Sequence, residues 1–179
     1  MVVKTKITNP VILNEDNAFI KRQLSVDLND NIDDDYINTL LYTSTVITEN
    51  LINKDISYTK NVLSIYDFNN CEIVIDEGNY YSVESVILDT STLVDPSTYD
   101  VINYYNYFKI NFNQYLTSDP IKITYYTGYY GKTIPQDLYH AIVLKAADLY
   151  DVERNSYNYT GIENNKAWER LCLPYKLIH

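Results

Sequence analysis

Ile121-Lys122-Ile123-Thr124-Tyr125-Tyr126-Thr127 alternates apolar and polar side chains, and beyond Gly128-Tyr129-Tyr130-Gly131 that alternation gives way to another period. From Pro135 onward, Leu138, Ile142, Ala146 and Leu149 recur at helical spacing. The first stretch predicts a half-buried strand and the second an amphipathic helix running to about Arg154. Pro135 suits the first helical position, where its missing N–H loses no hydrogen bond. The order strand, short loop, helix at this switch sets the fold class, and the rest of the chain is read outward from it.

Upstream, from Ile56 to Thr127, short runs rich in β-branched and aromatic residues follow one another: Val62–Ile65, Glu72–Ile75, Tyr81–Leu88, Tyr99–Ile102, Phe108–Phe112 and Ile121–Tyr126. The turn clusters Asn69-Asn70, Glu77-Gly78-Asn79, Asp95-Pro96-Ser97 and Ser118-Asp119-Pro120 separate them, so six strands are predicted. Tyr104-Tyr105-Asn106-Tyr107 joins two of these as a hairpin tip with partly exposed rings.

Further upstream the period is helical again. Residues 1–13 form an extended arm or edge strand ending at Pro10-Val11-Ile12-Leu13, and Asn14 caps a short helix, about 15–24, with Phe19, Ile20 and Leu24 on its apolar face. Asp33-Asp34-Asp35 places acids at a helix start, where the macrodipole is positive. From there Tyr36, Leu40, Ile47 and Leu51 continue a helix to about Asn53. Downstream, the polar loop Asn155–Gly161 ends the Pro135 helix. A last helix, about 163–173, carries Trp168, Leu171 and Cys172 before Pro174 stops it.

The prediction is an α+β fold: an antiparallel helical bundle core, with two N-terminal and two C-terminal helices, and an inserted β-strand block around 57–127. It is read as one domain over 1–179, with 1–56 as arm and helices and 128–179 as the C-terminal helices.

Composition narrows the function. The chain has 179 residues, 46% of them hydrophobic and 21% charged, so it is far from the composition of disorder. Its net charge of −10 argues against the phosphate contacts that supply most nucleic-acid affinity. Cys71 and Cys172 lack metal or redox spacing. Met1-Val2-Val3-Lys4-Thr5-Lys6 has no apolar signal core and no stretch approaches membrane-spanning length, so neither secretion nor membrane insertion is expected.

Oxygen side chains at positions 27, 29, 31, 33 and 35 imitate a calcium loop, but Ile32 stands where the sharp turn needs glycine and Asn38 where a bidentate glutamate belongs. A solvated turn with Asp33 as the next helix's cap is the better reading. His140 and His179 have no acid or cysteine partners at ligand spacing, and the glycines at 78, 128, 131 and 161 build no phosphate loop or nucleophile elbow. No catalytic residue, cofactor site or metal site is expected, and the chain is read as non-enzymatic.

That leaves 20 tyrosines, alongside 20 isoleucines and 20 asparagines. Tyr125-Tyr126 and Tyr129-Tyr130 are candidates for a ligand-stacking platform, which would make the chain a small ligand-binding or enzymatic domain. With no basic patch beside them, protein–protein contact area is the preferred reading.

The segment Ile121–Tyr129, then Ile134-Pro135-Gln136-Asp137-Leu138-Tyr139-His140-Ala141-Ile142 and Leu149-Tyr150-Asp151-Val152-Glu153-Arg154, resembles the head–tail connector (adaptor) proteins of tailed bacteriophages. That family shows a strand of the form V-x-V-T-Y-x-A-G-Y, then I/V-P-x-x-L-x-x-A-I and a helix ending L-Y-x-x-R. The Asp27–Asp35 turn between two helices and the closing Leu171-Cys172-Leu173-Pro174-Tyr175-Lys176 are similar as well. Thr127 stands where the family usually has alanine, and the β block is longer than in compact members.

The resemblance implies a virion structural protein at the head–tail junction, made in the bacterial host cytoplasm. It implies a twelve-subunit ring beneath the portal that extends the DNA channel, attaches tail or stopper components and lets DNA pass during ejection without specific binding. A tail-completion or stopper protein is the neighbouring alternative. The implied portal contact is the segment with Trp168, Leu171, Pro174, Tyr175 and Lys176. Tyr104, Tyr105 and Tyr107 are candidates for contact with a neighbouring subunit or tail protein, and Asp33 and Asp34 for facing the lumen.

Overall fold

A computed structural model describes residues 1–8, 18–29, 32–89, 91–129, 134–154 and 166–177. The expected cap at Asn14, the Asn155–Gly161 loop, the start of the last helix at 163 and the terminal His179 lie outside the described residues. The chain divides into two compact units, one made of 1–10 and 55–132, the other of 11–54 and 133–179.

The first unit is built of strands: β1 (Val2–Thr8), β2 (Thr59–Ile65), β3 (Phe68–Ile75), β4 (Tyr80–Leu88), β5 (Thr92–Leu93), β6 (Tyr99–Asn103), β7 (Phe108–Ser118) and β8 (Ile121–Thr127). They form a five-stranded sheet in the order β1-β2-β8-β4-β5 and a three-stranded sheet in the order β3-β7-β6. All pairings are antiparallel. The quoted strand is therefore an interior one: Ile121, Ile123, Tyr125 and Thr127 alternate as its buried row, as a period of two requires.

That row shares a hydrophobic core with the other sheet's Phe68, Ile73, Ile75, Phe108, Ile110, Phe112 and Leu116. Phe108 meets Tyr125 edge-on at 5.3 Å and Tyr80 at 4.6 Å, the tilted geometries that ring quadrupoles favour. The polar end of Tyr125 is satisfied, its hydroxyl donating to Glu77 Oε2 at 2.9 Å. Burial, with Glu77 adjacent, pushes that phenol far above its usual range.

Two details differ from the sequence expectation, and a third is settled between alternatives. β7 runs on to Ser118, because Asn113, Gln114 and Tyr115 are exposed opposite the irregular Asn70/Glu72 step of β3 and break the alternation that marks a strand. β5 has only two residues, too few to give a periodic signal. Of the two readings of the N-terminal stretch, arm or edge strand, Val2–Thr8 take the second, pairing with β2 throughout.

The second unit contains α1 (Ala18–Gln23), α2 (Asp34–Ile52), α3 (Gln136–Arg154), α4 (Lys166–Cys172) and a 3-10 turn at Leu173–Tyr175. Its buried residues include Ile37, Leu40 and Leu41 of α2, Leu138, Ile142 and Ala146 of α3, and Trp168 and Cys172 of α4. Buried Ser44, Thr45 and Thr48 would be costly on α2, but Thr45 and Thr48 turn their hydroxyls back to the carbonyls of Leu41 and Ser44 at 2.8 and 2.7 Å. Asn53 ends α2 in the left-handed conformation, a role glycine more often fills.

Pro135 lies one position earlier than expected, just before α3, and its carbonyl accepts from Tyr139 N at 2.9 Å. The chain is thus α+β as predicted. The expectation of a helical bundle core with a β insertion is not confirmed: the strands form a compact unit of their own beside the helical one, with its own hydrophobic core.

Two consequences are measurable. Gly128 has φ +90, and a Cβ there would fall 2.1 Å from the Ser57 carbonyl oxygen. Gly128→Ala should cost about 2–4 kcal/mol in urea unfolding. Cys71 is exposed, whereas Cys172 is buried and its thiol is pushed up to about 11 by burial, with Glu169 adding to the shift. A disulfide reagent at about pH 8 should therefore titrate one thiol in the native protein and two after denaturation.

Candidate interaction surfaces

The β6–β7 hairpin closes where Tyr104 N donates to Tyr107 O at 2.9 Å. The rings of Tyr104 and Tyr107 stack 4.5 Å apart across the turn, a cross-strand pair that fixes the tip. Tyr104 is 42% exposed and Tyr105 63%. The fold therefore brings the three candidate contact tyrosines together on one largely solvent-facing projection.

The acidic turn is less available than its composition suggests. Asp34 pairs with the buried Lys21 of α1 at 2.6 Å, joining the first helix to the start of the second. Asp33 occupies the N-cap position of α2, but its side chain makes no cap hydrogen bond; its Oδ2 accepts from Tyr150 OH at 3.4 Å. Asp27 Oδ1 accepts from Asn29 N at 3.0 Å, an Asx turn. Among the described residues no cluster of three or more His, Cys, Asp or Glu is arranged to hold a metal ion. His140 is exposed on α3, edge-on to Phe19 at 6.1 Å.

The C-terminal segment divides into an anchored part and a displayed part. Trp168 is only 8% exposed; its Nε1 donates to Thr48 Oγ1 at 3.3 Å and Lys145 Nζ lies 4.8 Å from the ring centroid. Leu177 N donates to Ile52 O at 2.7 Å, and the Tyr175 hydroxyl donates to Asp137. Leu173, 62% exposed, stands outward with Pro174 and Lys176, while Leu171 is half-buried. Of the five nominated portal-contact residues, the structure sets Trp168 into the helical unit and leaves Pro174 and Lys176 on its surface.

A cluster that sequence spacing did not single out lies on the five-stranded sheet. Tyr58 and Tyr126 stack at 4.9 Å and 3°, Tyr81 meets Tyr58 edge-on at 5.3 Å, and Lys60 Nζ lies 2.6 Å from Glu84 Oε2. The Tyr126 hydroxyl donates to the same carboxylate oxygen at 2.7 Å. The Lys60 and Tyr126 hydrogen bonds hold the Glu84 carboxyl below its usual range and, reciprocally, Glu84 raises Lys60. The residues are far apart in sequence and only the register Lys60↔Tyr126↔Ser82 assembles them. Tyr126 thus stacks on the chain's own Tyr58. Tyr125, its neighbour in the supposed platform, points into the core.

The architecture also has counterparts among solved structures. The chain is similar to one in the virion of native gene transfer agent (GTA) particle, with TM-score 0.77, 12% identity and coverage of 99% of this chain and 96% of that one. It is similar to one in the neck of empty GTA particle computed with C6 symmetry, with TM-score 0.75, 13% identity and the same coverage. A third match is in the neck of native GTA particle computed with C12 symmetry, with TM-score 0.72 and 13% identity. No protein-family model matches the chain, and no curated protein matches it by sequence. Over nearly its whole length, in both the strand unit and the helical unit, the chain has the fold of a chain from the neck of a gene transfer agent particle, a likeness in keeping with its resemblance to head–tail connectors.

Proposed function

We propose that this protein is a structural, non-enzymatic head-to-tail adaptor of a tailed phage or related particle, a single functional subunit that forms a twelvefold ring under the portal. The ring extends the DNA channel and receives a tail or stopper protein. The observation that carries this reading is the end-to-end match to neck chains in assemblies computed with C6 and C12 symmetry.

The physical properties agree with it. A closed ring needs two different, complementary surfaces on each subunit, and repeated contacts around it make attachment tight through avidity. A subunit of net charge −10, repeated around a channel, repels the phosphate backbone, so passing DNA does not adhere. Asp33 contributes to that field at the channel side, whereas the charge of neighbouring Asp34 is met by Lys21. The portal meets the segment closed by Leu173, Pro174, Tyr175 and Lys176, with Trp168 and Leu171 holding it on the helical unit. The tyrosine tip at 104–107 meets a neighbouring subunit or tail protein.

Mixing the protein with the portal protein of the same particle should give a twelvefold collar by negative-stain microscopy. No collar, or a collar formed only when another neck protein is already bound to the portal, would count against the adaptor position. Truncating the segment would remove buried Trp168, Cys172 and Leu177, so surface substitutions are the better probe. Leu173→Asp combined with Lys176→Glu should weaken portal binding by about tenfold or more while leaving the thermal melt unchanged.

A further inference from the structure

We propose that the outer edge of β1 joins one copy of this chain to the next by strand addition, receiving the outer edge of β6 from the neighbouring copy; this rests on the ring reading above.

Sheet edges are ordinarily blunted, because a row of outward N–H and C=O groups templates pairing with any extended chain. Three of the four edges among the described residues are blunted or short. β5 has two residues followed closely by Pro96. β3 is broken by its Asn70/Glu72 irregularity and carries the exposed, charged Glu72. β6 has five residues.

β1 differs from them. It has seven residues, no proline and an uninterrupted register with β2 from Val2↔Ile65 to Thr8↔Thr59. Lysines are the usual guards of an edge, but here both are drawn inward onto carboxylates: Lys4 pairs with Glu77 and Lys6 with Asp55. The opposite face of β1 is the exposed β-branched row Val3, Thr5 and Ile7.

The hydrogen-bond phase shows which positions are on offer. Tyr66 N donates to Met1 O, so Met1↔Tyr66 is a hydrogen-bonded pair and the alternation turns the N–H and C=O of Val2 and Lys4 away from β2. On β6, Tyr104 N donates to Tyr107 O, and the same alternation turns Tyr99, Val101 and Asn103 outward from β7.

A second β1 is a poor partner. An antiparallel β1–β1 pairing uses the same edge twice and closes an isologous dimer, not a head-to-tail ring. Against β6 no like charges meet. The outward positions of β6 are uncharged, and with Asn103 opposite Lys4, Thr5 falls opposite Ile102, which is itself 40% exposed. Tyr104 then falls opposite Val3, so the tyrosine tip continues the same contact. The contact uses two different edges, as a head-to-tail ring requires.

The test uses the full chain with Cys71→Ser, carrying Thr5→Cys and Ile102→Cys together. Thr5 and Ile102 would form a non-hydrogen-bonded pair, where opposed Cβ atoms come to the near end of about 4.5–5.5 Å and a small shift closes a disulfide. Oxidation of portal-bound rings should give a ladder of covalent multimers on a non-reducing gel. Rings visible by microscopy without a ladder would overturn the edge assignment and leave the adaptor reading standing. Failure to form rings at all would remove both. Dimers from Thr5→Cys alone would show β1–β1 pairing and overturn the proposal. Independently, Lys4→Pro deletes one outward N–H at an edge position that tolerates proline, while Lys4→Met keeps the N–H and loses only the ion pair. Lys4→Pro should raise the concentration for half-assembly about tenfold over Lys4→Met, at equal thermal melts. Equal assembly of the two variants would refute the contact.

Discussion

Asp55 is the residue around which the strand unit closes. Its carboxylate accepts from the hydroxyl of Thr127 at the end of β8 and pairs with Lys6 of β1 at 2.6 Å, while its backbone carbonyl accepts from Asn79 Nδ2 at 2.8 Å. Thr127 in turn accepts from buried Asn61 of β2 at 2.8 Å. One largely buried acid therefore ties together β1, β2, β8 and the approach to β4. A buried carboxylate that lost a partner would be left with an uncompensated charge, so the group enforces this arrangement over near alternatives. Gly128 belongs to the same knot: its N–H donates to Asn79 O, and Tyr129 N donates to Ile56 O, an approach so close that no Cβ fits.

A unit locked in this way can present surfaces without deforming. The tyrosines divide by position. Tyr125 fills the sandwich core with its hydroxyl on Glu77; Tyr58, Tyr81 and Tyr126 cover one face of a sheet; Tyr104 and Tyr105 stand out at a hairpin tip. The helical unit shows the same economy. Trp168, Cys172 and Leu177 seat the last segment so that Leu173, Pro174 and Lys176 project from it. On the proposed reading such preordered side chains favour assembly, since each one held at a contact loses less entropy on binding.

Much of this was legible from periodicity. The alternation in 121–127 and the helical stripe from Leu138 mark the strand and the helix because a buried row must repeat with the backbone's own period. Asp33-Asp34-Asp35 marks the start of α2 because acids favour a helix N-terminus. The signal failed where burial and periodicity part company. Asn113–Tyr115 hide the far half of β7 because an irregular strand exposes consecutive residues, and the two residues of β5 have no period. The acids of the 27–35 turn read alike in sequence, yet Asp34 is taken up by a lysine from α1 and Asp33 by Tyr150.

The sequence by itself determined the kinds of element, their order and the α+β class, because these follow from local chemistry repeated along a few turns or pleats. It also determined the acidity and the lack of a recognisable catalytic motif, which are matters of composition and spacing. Only the tertiary structure decided that the N-terminal arm is an edge strand of the β unit, that Tyr125 is core while Tyr126 is surface, and that the lysines of β1 are spent on Glu77 and Asp55. These depend on pairings between segments tens of residues apart. A one-residue change in register would turn every such side chain to the opposite face, and no local pattern fixes the register across that distance.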